Sequence, residues 1–196
     1  MPTYDEQLFL ACIQNNPINQ QILQLAPQLE VSDWWLTAGA LFQTVWNVLD
    51  GRDPQAGIRD YDLFYFDNDT SYEAEDAVIL RAKELFNDID AEVEVRNEAR
   101  VHLWYEQHFG VSAAPFTSTT DAIDHFAIKT CCFAVTSDKD GNLTTYAPYG
   151  YEDLFTRKII PNPVLATREV YEAKTARWLT EWPSLSIEPW PTNGTP

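Results

Sequence analysis

The chain has 196 residues, enough for one domain, and 45% of them are hydrophobic, so it can bury a substantial core. Its 30 acidic residues against 13 basic ones give a net charge of −17, which repels phosphate backbones and anionic bilayers and argues against duplex nucleic acid or a membrane as a partner. No stretch approaches the ~20 apolar residues of a membrane span, and MPTYDEQLFL lacks a signal-peptide pattern.

The cysteines Cys12, Cys131 and Cys132 match neither a disulfide framework nor a zinc spacing. They read as small core residues, and a reducing cytoplasm is the expected compartment. Residues 5–29 alternate short apolar runs with Asn, Gln and Pro, as in one or two short helices. Asp33 is placed to cap a helix through WWLTAGALFQTVWNVLD, ended by Gly51. Leu36, Ala40, Phe42, Val45, Trp46 and Leu49 fall near helical spacing in it. GRDPQAG (51–57) reads as a loop. A strand over 59–66 follows, then a turn at DNDTS and a helix over 72–87.

AEVEV (91–95) alternates strictly, the pattern of a second strand with Glu92 and Glu94 on one side. Asn97 is placed to cap a helix through ARVHLWYEQHF, stopped by Gly110, and Thr119 or Thr120 to cap another through DAIDHFAI. KTCCFAVTS, DKDGN and LTTYA form a predicted β-hairpin. PYGYEDLF opens a further helical piece, residues 164–182 form a longer amphipathic helix, and the Pro-rich tail 183–196 is expected to be extended. Trp34, Trp35, Trp46, Trp104 and Trp178 fall mainly at core positions. Strands and helices mixed without regular βαβ alternation indicate an α+β fold, in a single domain over 1–182.

The chemistry concentrates in RDYDLFYFD (59–67). Asp60 and Asp62 sit two apart in a strand pattern and so project to one face. Two carboxylates beside an apolar run repel each other, a cost offset either by facing water or by sharing a divalent cation. Glu94 is the natural third ligand, with Glu92 as its rival. Three carboxylates form a hard oxygen site suited to Mg²⁺ or Mn²⁺. Arg59, next to the pair, is expected on the opposite face. Lys158, Asn162, Lys174 and Arg177 are candidate acceptor contacts, with plain surface placement as the alternative.

TAGALFQTVWNVL, IRDYDLFYFD, EVEVRNEARVHLWY, TYAPYGYEDLF, RKIIPNP and VYEAKTARWLTEWP together resemble a bacterial nucleotidyltransferase family of the DNA polymerase beta-like superfamily, over about residues 30–190. The resemblance implies a mixed or antiparallel central sheet flanked by helices, with a core over about 30–110 and a helical C-terminal part over 111–182. It implies metal and catalytic roles for Asp60, Asp62 and Glu94, and nucleotide contacts at Gly39, Ala40, Asn97, Arg100 and His102. Ala40 stands where the superfamily usually has Gly or Ser, and Phe42 and Gln43 where relatives often carry Arg and Asn. The implied activity moves a nucleoside monophosphate from a nucleoside triphosphate to a hydroxyl acceptor, a small molecule or a protein. The alternative is a catalytically silent module that binds nucleotide or a protein partner.

Overall fold

In the computed structural model, which describes residues 4–192, two short capped helices open the chain. These are α1 (Glu6–Ile13) and α2 (Pro17–Leu25). The side chains of Asp5 and Asn16 accept from the Leu8 and Ile18 N–H groups, satisfying donors that a helix start otherwise leaves unpaired. A 3-10 turn over Ala26–Leu29 follows.

The long helix expected from Asp33 divides in two. Trp35–Thr37 is a strand, β1, and helix α3 begins only at Gly39, running to Leu49. Asp33 does not cap this helix; its carboxylate accepts from Trp35 Nε1 (2.9 Å) and, across the chain, from the Thr119 N–H (2.7 Å) at the start of a later helix. The break falls at Ala38, with φ 55° and ψ −135°, a backbone region that sterically penalises any residue carrying a Cβ. The helical spacing across WWLT is therefore coincidental: Leu36 is buried as a strand residue.

Strand β2 (Tyr61–Tyr65), helix α4 (Tyr72–Leu85) and strand β3 (Val93–Asn97) form a parallel unit. β2 begins after Asp60, not at residue 59 as expected. The helix expected from Asn97 to Phe109 is a 3-10 stretch over Glu98–Leu103 followed by α5 (Tyr105–Phe109), which Gly110 ends at φ 72°. Ser118, rather than Thr119 or Thr120, caps α6 (Thr119–Asp124). After a 3-10 turn at Lys129–Cys131 comes the expected hairpin, β4 (Ala134–Ser137) and β5 (Leu143–Tyr146).

Helix α7 (Glu152–Phe155), strand β6 (Lys158–Ile159), helix α8 (Arg168–Glu181) and strand β7 (Ser186–Ile187) complete the chain. β7 lies within the Pro-rich tail and pairs in parallel with β6; the tail's last residues, 193–196, lie outside the described range. The main sheet has the order β3-β2-β1-β4-β5, with only β2 and β3 parallel. This is the α+β architecture expected, a mixed sheet flanked by helices.

Leu36, Tyr61, Leu63, Tyr65 and Val95 are all 3% exposed or less, one side of the strand alternation buried under helices. The three cysteines are free and buried. Trp34, Trp46 and Trp178 are core residues, whereas Trp104 is 45% exposed. Aromatic contacts join α3 to α8: Phe42 and Trp178 lie 4.9 Å apart, and Trp46 and Trp182 5.4 Å, between ring centroids. Trp182 Nε1 donates to Asn47 Oδ1 (2.9 Å), while Asn47 Nδ2 donates to the Ala56 carbonyl (2.7 Å). Arg52 donates to the Glu181 carbonyl (2.8 Å). These bonds clamp the C-terminal end of α8 onto α3 and the 51–57 loop, beside the start of β2.

Candidate active site

Strand register brings the central residues together. Asp62 is paired with Thr37 across β1 and with Glu94 across β3, so the three side chains lie on one face, opposite Leu63 and Tyr65. Thr37 is fully buried and donates to the Phe133 carbonyl (2.6 Å). Asp60, exposed, precedes the strand and joins Asp62 in lining a cavity of about 530 Å³. Burial first, then the charges of Asp60 and Glu94, push the half-buried Asp62 carboxyl up to about 7, against the opposing pull of Lys174 and Arg96.

The three acids do not close on one point. Glu94 Oε1 lies 2.5 Å from Arg96 Nη2, and Glu94 is not part of the cavity wall. Among the described residues no group of three or more His, Cys, Asp or Glu is gathered closely enough to hold a metal ion. The chemistry of the donors still fits a hard divalent cation: they are carboxylate oxygens, and the mutual repulsion that lifts the Asp62 carboxyl is what a cation would relieve.

Besides Asp62 and Phe64 of β2, the cavity's walls come from Gly39 at the start of α3, Gly57 and Arg59 before β2, Ile128 from the turn before β4, and Lys174, Arg177 and Trp178 from α8. Gly57 has φ 75°, and a Cβ there would come 3.3 Å from Glu181 Oε2, so glycine allows the loop to approach α8. Arg59 was expected on the face opposite the acids. It lies before the first strand residue, where alternation does not apply, and it faces the same cavity. Arg59, Lys174 and Arg177 make no ion pair among the described residues.

The remaining predicted residues lie elsewhere. Ala40 is fully buried, and its carbonyl accepts from Asn19 Nδ2 and Thr44 Oγ1. Asn97 is buried: Oδ1 accepts from the Asp67 and Ala99 N–H groups, and Nδ2 donates to the Asp67 carbonyl. Arg100 Nε is 3.2 Å from Glu75 Oε2, and Nη1 donates to the Ser71 carbonyl (2.6 Å). His102 is half-buried, with Nδ1 unpartnered among the described residues. None of the four lines the cavity. Of the candidate acceptor contacts, Lys174 and Arg177 face it. Lys158 pairs with Glu188 (3.2 Å), and Asn162 donates to the Asp124 and Phe126 carbonyls.

Glu98 was not singled out from the sequence as a site residue. It is 6% exposed, and burial, then Asp62 and Glu75, pushes its carboxyl up to about 8. Its parity with Glu94 along the chain was the available signal. Ala38 was missed too, because an alanine does not announce a left-handed backbone.

A mixed α+β sheet that sets carboxylates in the wall of a cavity, together with a glycine-opened helix and the cations Lys174 and Arg177 of α8, is suited to binding a phosphorylated ligand. The chain belongs to a family described as nucleotidyltransferase, whose sequence pattern matches residues 24–187. A solved NMR structure described as revealing a CCA-adding enzyme head domain is similar to this chain, with 25% sequence identity and a TM-score of 0.75. The similarity covers 95% of this chain and 97% of that one. No curated protein sequence matches.

Proposed function

We propose that the protein transfers a nucleoside monophosphate from a nucleoside triphosphate to the hydroxyl of a small molecule or protein, with Mg²⁺ or Mn²⁺. The observation that carries this reading is the register of Asp62 with Glu94 on one sheet face, with Asp62 in a cavity that also holds Gly39, Lys174 and Arg177. In the reaction the acceptor oxygen bonds to the α-phosphorus, the bond to the pyrophosphate oxygen breaks, and pyrophosphate leaves with that electron pair. The hydroxyl proton passes to a carboxylate on this sheet face, for which Glu94, in register with Asp62, is the candidate base once released from Arg96. Asp60 and Asp62 would hold the divalent ion, which supplies charge neutralisation at the phosphates.

Backbone N–H groups at the start of α3 suit phosphate oxygens, with Gly39 permitting close approach. Lys174, Arg177 and Arg59 neutralise the rest of the triphosphate. Ala40, Asn97, Arg100 and His102 contribute to the surrounding framework in this reading, since their polar groups are engaged or lie away from the cavity.

The test is label transfer from α-phosphate-labelled nucleoside triphosphates, with Mg²⁺ or Mn²⁺ and a cell extract as the acceptor source. Wild type should transfer label, and Asp62→Asn should lose about 10²-fold or more of that rate, as when other preorganised electrostatic groups are removed. The Glu94–Arg96 pairing favours the second reading, a silent nucleotide-binding module. Triphosphate binding by both proteins with no label transfer by wild type decides for that module.

A further inference from the structure

Resting on the reading of this cavity as a nucleotide site, we propose that Gln43 and Trp178 form its base-recognition floor, hydrogen-bonding the polar edge of a nucleobase. Both side chains line the cavity and are more than nine-tenths buried, Gln43 at 7% and Trp178 at 4% exposure. Gln43 Oε1 and Trp178 Nε1 are both shielded from solvent, and neither finds a hydrogen-bond partner among the described residues. Folded proteins rarely leave such groups unpaired, because each forfeits its hydration without replacement. They belong to two residues that line one cavity, one bringing an acceptor and one a donor, and a ligand seated against both side chains can satisfy both as they turn toward it.

The polarity of the pair narrows the ligand. A phosphate oxygen only accepts, so it would satisfy the indole N–H and the amide NH₂ of Gln43 and leave the amide oxygen unpaired. A nucleobase edge presents a donor beside an acceptor, and its flat ring suits the aromatic surroundings of Phe42, Trp178 and Trp182. The amide of Gln43 also has a built place. A Cβ at residue 39 would come 2.8 Å from its Nε2, so Gly39 makes room for the side chain that reads the ligand. Gln43 and Phe42 thus serve recognition of a neutral group, while Lys174 and Arg177 supply the charge.

The base could belong to the donor triphosphate or to a nucleoside acceptor, and calorimetry separates the two. The titrants are the four common nucleoside triphosphates, inorganic tripolyphosphate and the four nucleosides, each with Mg²⁺. The proteins are wild type, Gln43→Met and Trp178→Phe. Wild type should bind at least one nucleoside triphosphate more tightly than tripolyphosphate. Each variant should lose about threefold to tenfold of that affinity, the scale of one hydrogen bond, with tripolyphosphate unchanged.

Gln43→Met should also melt at the wild-type temperature or above, because it removes an unpaired buried oxygen. A loss confined to nucleoside binding assigns the floor to the acceptor's base and supports the subsite equally. Unchanged base-dependent affinity in both variants, or equal losses for tripolyphosphate, overturns the subsite alone. No binding of any triphosphate or tripolyphosphate by wild type overturns the nucleotide reading and the subsite with it.

Discussion

Replacing Asp62 by Asn should stabilise the metal-free protein at pH 8 and leave it nearly unchanged at pH 4. Raising the Asp62 carboxyl from 3.8 to about 7 corresponds to ~4 kcal/mol of destabilisation of the charged form, at about 1.36 kcal/mol per pH unit. Partial exposure of the side chain screens this to on the order of 2 kcal/mol. The sign follows from proton counting. Between 3.8 and about 7 the folded state binds more protons at this site than the unfolded state, so stability falls as pH rises across that window.

Below the unfolded value both states are protonated and no penalty remains. Asn carries no charge at any pH, so the variant should lose most of this slope. Glu98, pushed up to about 8 by burial first and then by Asp62 and Glu75, keeps its own slope of the same sign, so the variant should lose the Asp62 share of the total slope and not all of it. Urea unfolding at pH 4, 6 and 8 in chelator measures the difference. A variant less stable than wild type at pH 8, or one with an unchanged pH slope, would refute the account of a strained, charge-crowded carboxylate and make Asp62 a structural group.

Three further outcomes follow from the geometry. Ala38→Gly should raise stability by ~1 kcal/mol by urea unfolding, since relief of an unfavourable backbone, worth roughly 1–3 kcal/mol, exceeds the ~1 kcal/mol entropic cost of glycine. Lys174→Gln and Arg177→Gln should each weaken triphosphate binding and flatten its salt dependence in titrations at two ionic strengths, with little change in melting temperature because neither cation is ion-paired. Triphosphate should raise the melting temperature with Mg²⁺ or Mn²⁺ and much less with chelator; equal shifts in both would remove the carboxylates as its anchor.

The parts of the site visible in the sequence are those with short-range periodicity. DYD and EVEV carry the alternation that places Asp62 and Glu94 on strand faces, and β2 and β3 are neighbours in register. The same alternation misled at Arg59, because its phase holds only within the strand and β2 starts at Tyr61; Asp60, also ahead of the strand, still lines the cavity with Asp62. Helical spacing absorbed β1, since three residues of strand are too few to contradict an apolar pattern that continues into α3. The cavity itself was not legible. Lys174, Arg177 and Trp178 share a helix face by their spacing, but no local rule says that this face meets Gly39 and Asp62. That juxtaposition is set by tertiary bonds such as Trp182 to Asn47 and Arg52 to Glu181.

The charge distribution ties these pieces together. A chain of net charge −17 repels a polyphosphate from a distance, so any attraction has to be local. Helix α3 offers no cation toward the cavity, with Phe42 and Gln43 in its first two turns. Lys174 and Arg177 enter from α8, and Arg59 from the approach to β2. Both signs therefore line the cavity, Asp60 and Asp62 from the sheet and Glu181 from α8 against Arg59, Lys174 and Arg177. In the proposed reading a phosphorylated ligand sets its phosphates between Lys174 and Arg177 and a cation held at Asp60 and Asp62. That placement puts the glycine-opened end of α3 against the phosphates and leaves the neutral, aromatic floor at Gln43 and Trp178 for the uncharged part of the same molecule.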